Sequence, residues 1–145
     1  RKLIAPAGQP WPDYRDVEGP LPKTFMDWEI FPDGLYNFLA RTAREYTGDL
    51  PLFVTENGMA SPDLLTGTNV DDPDRSAYLD AHLDSVKRAI AEGVPLNGYF
   101  IWSLLDNYEW ALGYEKRFGL VHVDFDTLVR TPKASYHAIA HALKS

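Results

Sequence analysis

A chain of 145 residues that is 45% hydrophobic and 13% aromatic is long and apolar enough to fold around a core rather than stay disordered. Its formal charge of −7 excludes the basic face that nucleic acid or an anionic membrane surface requires. The absence of cysteine removes disulfides, thiolate nucleophiles and Cys-type zinc sites, and with no run of about 18 apolar residues and no signal-peptide pattern the expected location is the cytoplasm.

Residues 1–33 hold six of the eleven prolines (Pro6, Pro10, Pro12, Pro20, Pro22 and Pro32) without periodicity, and read as a long irregular segment. From Gly34 to Tyr46 the spacing of Leu35, Phe38, Leu39, Ala43 and Tyr46 predicts a helix, with Gly48 as a left-handed stop. Residues 52–55, Leu-Phe-Val-Thr, predict a short buried strand, which puts Glu56 at its C-terminal end and Asn57-Gly58 in a turn. After a polar loop over 57–71, Asp72-Pro73 supplies an N-cap and a proline at the first helical position. Leu79, Leu83, Val86 and Ile90 give that second helix its apolar stripe, and Gly93 ends it. Leu96 to Trp102 predicts a second buried strand, and a last helix is expected from Thr131-Pro132, carrying Tyr136, Ile139, Ala140 and Leu143, after an excursion at 119–125.

Alternating helices and strands specify an α/β fold with a parallel sheet. Two parallel strands, however, cannot close a barrel or be covered on both faces, and their open edges invite association. The chain is therefore expected to be a piece of a larger fold.

Three groups of residues could carry chemistry. Glu56 beside Asn-Gly reads first as an exposed loop carboxylate, and a functional acid at a strand end is the other reading. Of the four histidines (His82, His122, His137 and His141), the last two are four apart, but Ala138 stands where a zinc-protease helix has Glu, so no metal site is expected. Between residues 99 and 120, Trp102, Tyr108, Trp110, Tyr114 and Phe118 alternate with Asp106, Asn107 and Glu109. Sugars present flat C–H faces to rings and a rim of hydroxyls to acceptors, so this mixture suits a pyranose. A loop whose rings seal the end of the sheet is the other reading.

The segments VTENG (54–58), YFIWSLLDNYEW (99–110) and KRFGLVHVDF (116–125) closely resemble, in that order, the C-terminal part of the family 1 glycoside hydrolases, the β-glucosidase and β-galactosidase family. TFMDWEIFPDGLYNFLARTAREY (24–46) is similar to the segment that precedes that family's seventh strand. The resemblance implies the C-terminal part of a (β/α)8 TIM barrel: strand 7 at 51–56, strand 8 at 97–102, and units 7 and 8 with the final helix over 34–145. It implies that Glu56 is the nucleophile of a retaining mechanism and that Trp102 forms the floor under the sugar. It further implies that Glu109 accepts from O4 and O6, that Trp110 donates to O3, and that Phe118 is a weaker wall. Retention of Glu109-Trp110 is similar to the branch that takes non-phosphorylated β-glucosides, with no cofactor. At Asp27, before Trp28, many relatives have Gly.

The resemblance also implies what is missing. The family's acid/base lies in an Asn-Glu-Pro motif on strand 4, which this chain lacks. A complementary N-terminal fragment carrying strands 1–6 is the expected partner, and the chain alone is expected to be inactive. A non-catalytic sugar-binding module and a barrel-assembly fragment are the alternatives.

Overall fold

A computed structural model describes the backbone of residues 2–4 and 13–15 and, with side chains, residues 19–144. Strands β1 (Lys2–Ile4) and β2 (Asp13–Arg15) pair antiparallel, so the first 33 residues are not wholly irregular. Pro6, Pro10 and Pro12 lie outside the described residues.

Helix α1 (Pro32–Thr42) begins two residues before the expected Gly34, with Pro32 where a first helical residue needs no N–H partner. It widens into a π-helical turn, Ala43–Thr47, that ends at Gly48, whose φ of +57° a glycine adopts at little cost. Leu39 is its buried residue, whereas Phe38 and Tyr46, expected on the apolar stripe, are exposed at 69% and 74%.

Strand β3 (Leu52–Asn57) runs two residues further than expected, so Asn57 is its last member and no turn forms at Asn57-Gly58. A small hairpin follows, β4 (Leu65–Thr66) with β5 (Asn69–Val70). Helix α2 (Pro73–Ala91) starts at Asp72-Pro73 as expected and stops before Gly93. It buries Leu79 and Val86 but leaves Ile90 48% exposed. Strand β6 (Leu96–Ile101) returns parallel to β3, the only parallel pair of strands among the described residues. Residues 119–125 contain β7 (Val121–Val123), which pairs antiparallel with β8 (Arg130–Pro132). Thr131-Pro132 therefore ends a strand instead of opening a helix, and α3 (Ala134–Ala142) begins two residues later. A proline is tolerated at the edge of a two-stranded ribbon, where no further strand needs its missing N–H.

Two apolar clusters hold these parts. Leu39, Val54, Val86, Ala89 and Val94 join α1 and α2 to one face of β3 and β6. Met59, Tyr78, Leu79, Leu120 and Ile139 join α2 to α3 and the segment entering β7. The opposite face of the ribbon is largely uncovered among the described residues. Phe53 and Phe100 stand 52% and 58% exposed there, flanking Gly98, where a Cβ would lie 2.6 Å from the Phe53 ring. The described residues form no closed barrel. No helix among them is long and apolar enough to cross a membrane.

Candidate active site

β3 and β6 end side by side, and their register explains what their ends present. Leu52 pairs with Leu96 and Asn57 with Ile101, an offset of 44 at both ends (96 − 52 and 101 − 57), but Phe53 pairs with Gly98 and Val54 with Tyr99, an offset of 45. One extra residue, Asn97, enters on β6, and one extra residue enters on β3 where Thr55 and Glu56 together face Phe100. The second irregularity has the form of a β-bulge, a device that re-aims side chains. Strict alternation from buried Val54 would turn Glu56 toward the helices. Instead Glu56 is exposed and Asn57 shares the Val54 face.

The chain ends are pinned together. The Trp102 N–H donates to the Asn57 carbonyl at 2.9 Å. Gly58 makes this approach possible, because a Cβ there would sit 1.7 Å from the Trp102 carbonyl oxygen. Glycine at 58 thus serves close packing, not a turn.

All five residues expected at the site, Glu56, Trp102, Glu109, Trp110 and Phe118, border one cavity of about 440 Å³. Trp110 is 80% exposed, on a 3-10 turn (Trp110–Leu112) closed by the Glu109 N–H donating to the Gly113 carbonyl at 2.7 Å. Its φ of +44° is a left-handed conformation that costs a non-glycine residue about 1–3 kcal/mol and recurs at functional sites. Phe118, by contrast, is 4% exposed and supports the cavity from behind. Neither Glu56 nor Glu109 has an ion-pair partner among the described residues.

Trp28 and Tyr78 also border the cavity, and sequence reasoning did not assign either to it. Trp28 is 51% exposed, with its ring centroid 6.3 Å from that of Phe118. Asp27 before it has φ +57°, a backbone conformation that glycine adopts most cheaply. The unusual residue ahead of Trp28 was the available signal. Tyr78 lies 20 residues beyond Gly58 on a helix face that reads as core, so it gave none. Burial raises the Tyr78 phenol above its ordinary value, and burial does the same to Tyr99, so both hydroxyls stay protonated.

Asp106, in the middle of the chemistry-rich loop, belongs instead to a buried ionic frame. It accepts from Arg117 at 2.7 Å, from Lys133 at 2.8 Å and from the Gly119 N–H at 2.9 Å. Lys133 also donates to Asp63 at 2.5 Å. Arg75 grips Asp63 through two nitrogens at 2.8 and 2.7 Å and also pairs with Asp72. Asp72 in turn accepts from the Ser135 N–H at 2.8 Å, so the expected N-cap side chain is spent on α3 and makes no cap bond to α2. Three cations (Arg75, Arg117, Lys133) and three carboxylates (Asp63, Asp72, Asp106) balance. Only Arg117 among their side chains is more than 1% exposed. No group of three or more His, Asp or Glu is placed to hold a metal ion among the described residues.

Parallel strands whose C-terminal ends open on a carboxylate and on aromatic walls belong to the α/β architectures that build their sites at strand ends. A family model described as glycosyl hydrolase family 1 matches residues 10–144, and the chain belongs to that family. It is 49% identical over 130 residues to a 1,4-β-D-glucan glucohydrolase of Thermotoga neapolitana, covering 89% of this chain and 29% of the relative. It is 52% identical over 120 residues to a bifunctional β-D-glucosidase/β-D-fucosidase of Bifidobacterium breve, covering 79% and 26%. The structure of a family 1 β-glucosidase from Thermotoga maritima in complex with isofagomine lactam superposes with a TM-score of 0.85 at 48% identity, over 88% of this chain and 29% of that one. These structural neighbours are TIM barrels. The chain thus spans about three-tenths of the length of the relatives it matches.

Proposed function

We propose that this chain is the C-terminal part of a retaining β-glycosidase acting on non-phosphorylated β-glucosides and related glycosides, with Glu56 as the nucleophile. The observation that carries this reading is the convergence of Glu56 with Trp102, Glu109 and Trp110 on one open cavity at the ends of two parallel strands. An ionised Glu56 attacks the anomeric carbon, the leaving oxygen departs with a proton, and water later releases the covalent glycosyl intermediate with configuration retained. Trp102 packs under the sugar ring, Glu109 accepts from its hydroxyls, the Trp110 N–H donates, and buried Phe118 keeps these groups in place.

The proton donor has to come from elsewhere. A retaining site needs a second carboxyl about 5 to 5.5 Å from the nucleophile. Asp106 is committed to four protein donors, and Glu109 is assigned to the sugar. The remaining six strands of the barrel, in the same protein or in a separate fragment, supply the acid and cover Phe53 and Phe100. The exposure of those two rings and the open ribbon edges support that reading.

The test joins two measurements. The purified 145-residue chain is expected not to hydrolyse a nitrophenyl β-glucoside, and addition of a fragment carrying strands 1–6 is expected to restore turnover. In the active protein a 2-deoxy-2-fluoroglucoside should label Glu56 and should fail to label Glu56→Gln. Turnover by the chain alone would overturn the fragment assignment, and labelling at another residue would overturn the nucleophile assignment.

A further inference from the structure

The bulge that frees Glu56 must be held, because a strand tends to settle into unbroken register when nothing forbids it. Asn57 is the residue placed to forbid it. Its side-chain carbonyl accepts from the Tyr99 hydroxyl on β6 at 2.7 Å, and Tyr78 on α2 borders the same cavity. Its main-chain carbonyl accepts from the Trp102 N–H. Tyr78 is itself fixed: its ring stacks on His82 at 3.9 Å, and His82 Nδ1 meets its carbonyl at 2.7 Å. Tyr99 pairs with Val54 and packs in the same cluster, so the hydroxyl reaching Asn57 comes from a ring anchored on the helix side. Slipping β3 by one residue would place Glu56 among these two phenols and the apolar cluster, where its charge would lose solvent.

We propose that Asn57 is a positioning residue: held by the Tyr99 hydroxyl, it occupies the helix-facing place at the end of β3 and so obliges Glu56 to project into the cavity. Asn57 also borders the cavity, and in this scheme it acts through its neighbour, not on the sugar. Its work is to fix the direction of its neighbour, where a displacement of about 1 Å costs a reaction about 100-fold. The inference rests on Glu56 being the nucleophile.

The experiment uses the active, full barrel and reads the rate at which a 2-deoxy-2-fluoroglucoside labels the protein, together with KM for a nitrophenyl glucoside. Tyr99→Phe, which removes one oxygen, and Asn57→Ala are each expected to slow labelling by about 10- to 100-fold with KM unchanged. The double variant should be no slower than the slower single one, because both changes break the same device. Should Asn57→Ala fail to fold, Tyr99→Phe alone decides. A labelling rate unchanged in folded Tyr99→Phe, or losses that multiply in the double variant, overturns the proposal. Glu56→Gln separates the two readings. If it still becomes labelled, the nucleophile assignment fails and this inference with it. If it is silent while Tyr99→Phe labels at the parent rate, only this inference fails.

Discussion

Asp106 and Glu109 stand three residues apart in one loop and differ in every physical respect that matters. Asp106 is 4% exposed and shares its two oxygens among Arg117, Lys133 and main-chain N–H groups, inside a frame whose charges cancel. Glu109 and Glu56 border open space, and no cation neutralises them among the described residues. A carboxylate that builds the fold has its lone pairs filled by the protein. One that is available to a ligand keeps them open, at the expense of stability that the frame below must supply. The frame holds the chain just before the cavity wall: Arg75 donates to the Arg117 carbonyl at 2.8 Å, that carbonyl also accepts the Ser61 N–H at 3.1 Å, and Phe118, which borders the cavity, follows Arg117 directly.

The harshest way to break this contrast is to remove a cation from the frame. Arg75→Met leaves Asp72 without a cation and Asp63 with Lys133 alone, so the buried frame is one positive charge short, and unfolding by urea should show a loss of about 3–5 kcal/mol. Arg44→Met, which touches only the exposed pair with Glu45, should cost no more than about 1 kcal/mol. Equal losses in the two variants would mean that the buried frame is no more than a surface ion pair in energetic terms.

A milder change sharpens the other side. Glu109→Ala should leave the urea midpoint where it was and alter the relative rates on glucoside, galactoside and fucoside. Unpaired hydroxyls and acceptors in such a site shift discrimination by about 1–3 kcal/mol. If the three rates fall in constant proportion, Glu109 does not read the sugar's hydroxyls.

These contrasts were unevenly legible in the sequence. The helix at Pro73 could be read because Asp-Pro and an apolar stripe are local signals, and the five cavity residues because motifs preserve spacing within a loop. Thr131-Pro132 misled because the same pair suits a helix start and an edge strand, and only pairing with β7 decides between them. The frame was invisible. Lys133 and Asp63 are 70 residues apart and Ser135 and Asp72 are 63 apart, and no periodicity connects such positions. The bulge was equally hidden, since it is a difference in register between two strands and neither strand shows it alone.

The smallest expected effect lies at the margin of the frame. His122 is buried, and its Nδ1 has no hydrogen-bond partner among the described residues. Burial first, and then the neighbouring Arg117 and Lys133, push its imidazole below the usual 6.5, with Asp106 and Asp63 opposing them. A depressed histidine binds fewer protons folded than unfolded, so its contribution is fully present above the unfolded value and is lost as pH falls through the folded one. The urea midpoint should therefore decline below about pH 6.5, and the decline should be shallower in His122→Phe than in the parent. His82, also depressed by burial, is intact in both proteins and cancels from the comparison. Identical pH profiles would remove His122 from the account.

Heat treats the six groups of the frame differently from the two apolar clusters beside them. The free energy of hydrating a charge becomes less favourable as temperature rises, so taking charges out of water costs less in hot solution than in cold, while burial of apolar surface levels off. The loop bearing Glu109 and Trp110 is tied at both feet to this frame, through Asp106 and Arg117. As the temperature climbs, the geometry of the cavity comes to depend less on the packing of leucines and more on three aspartates and the cations that hold them.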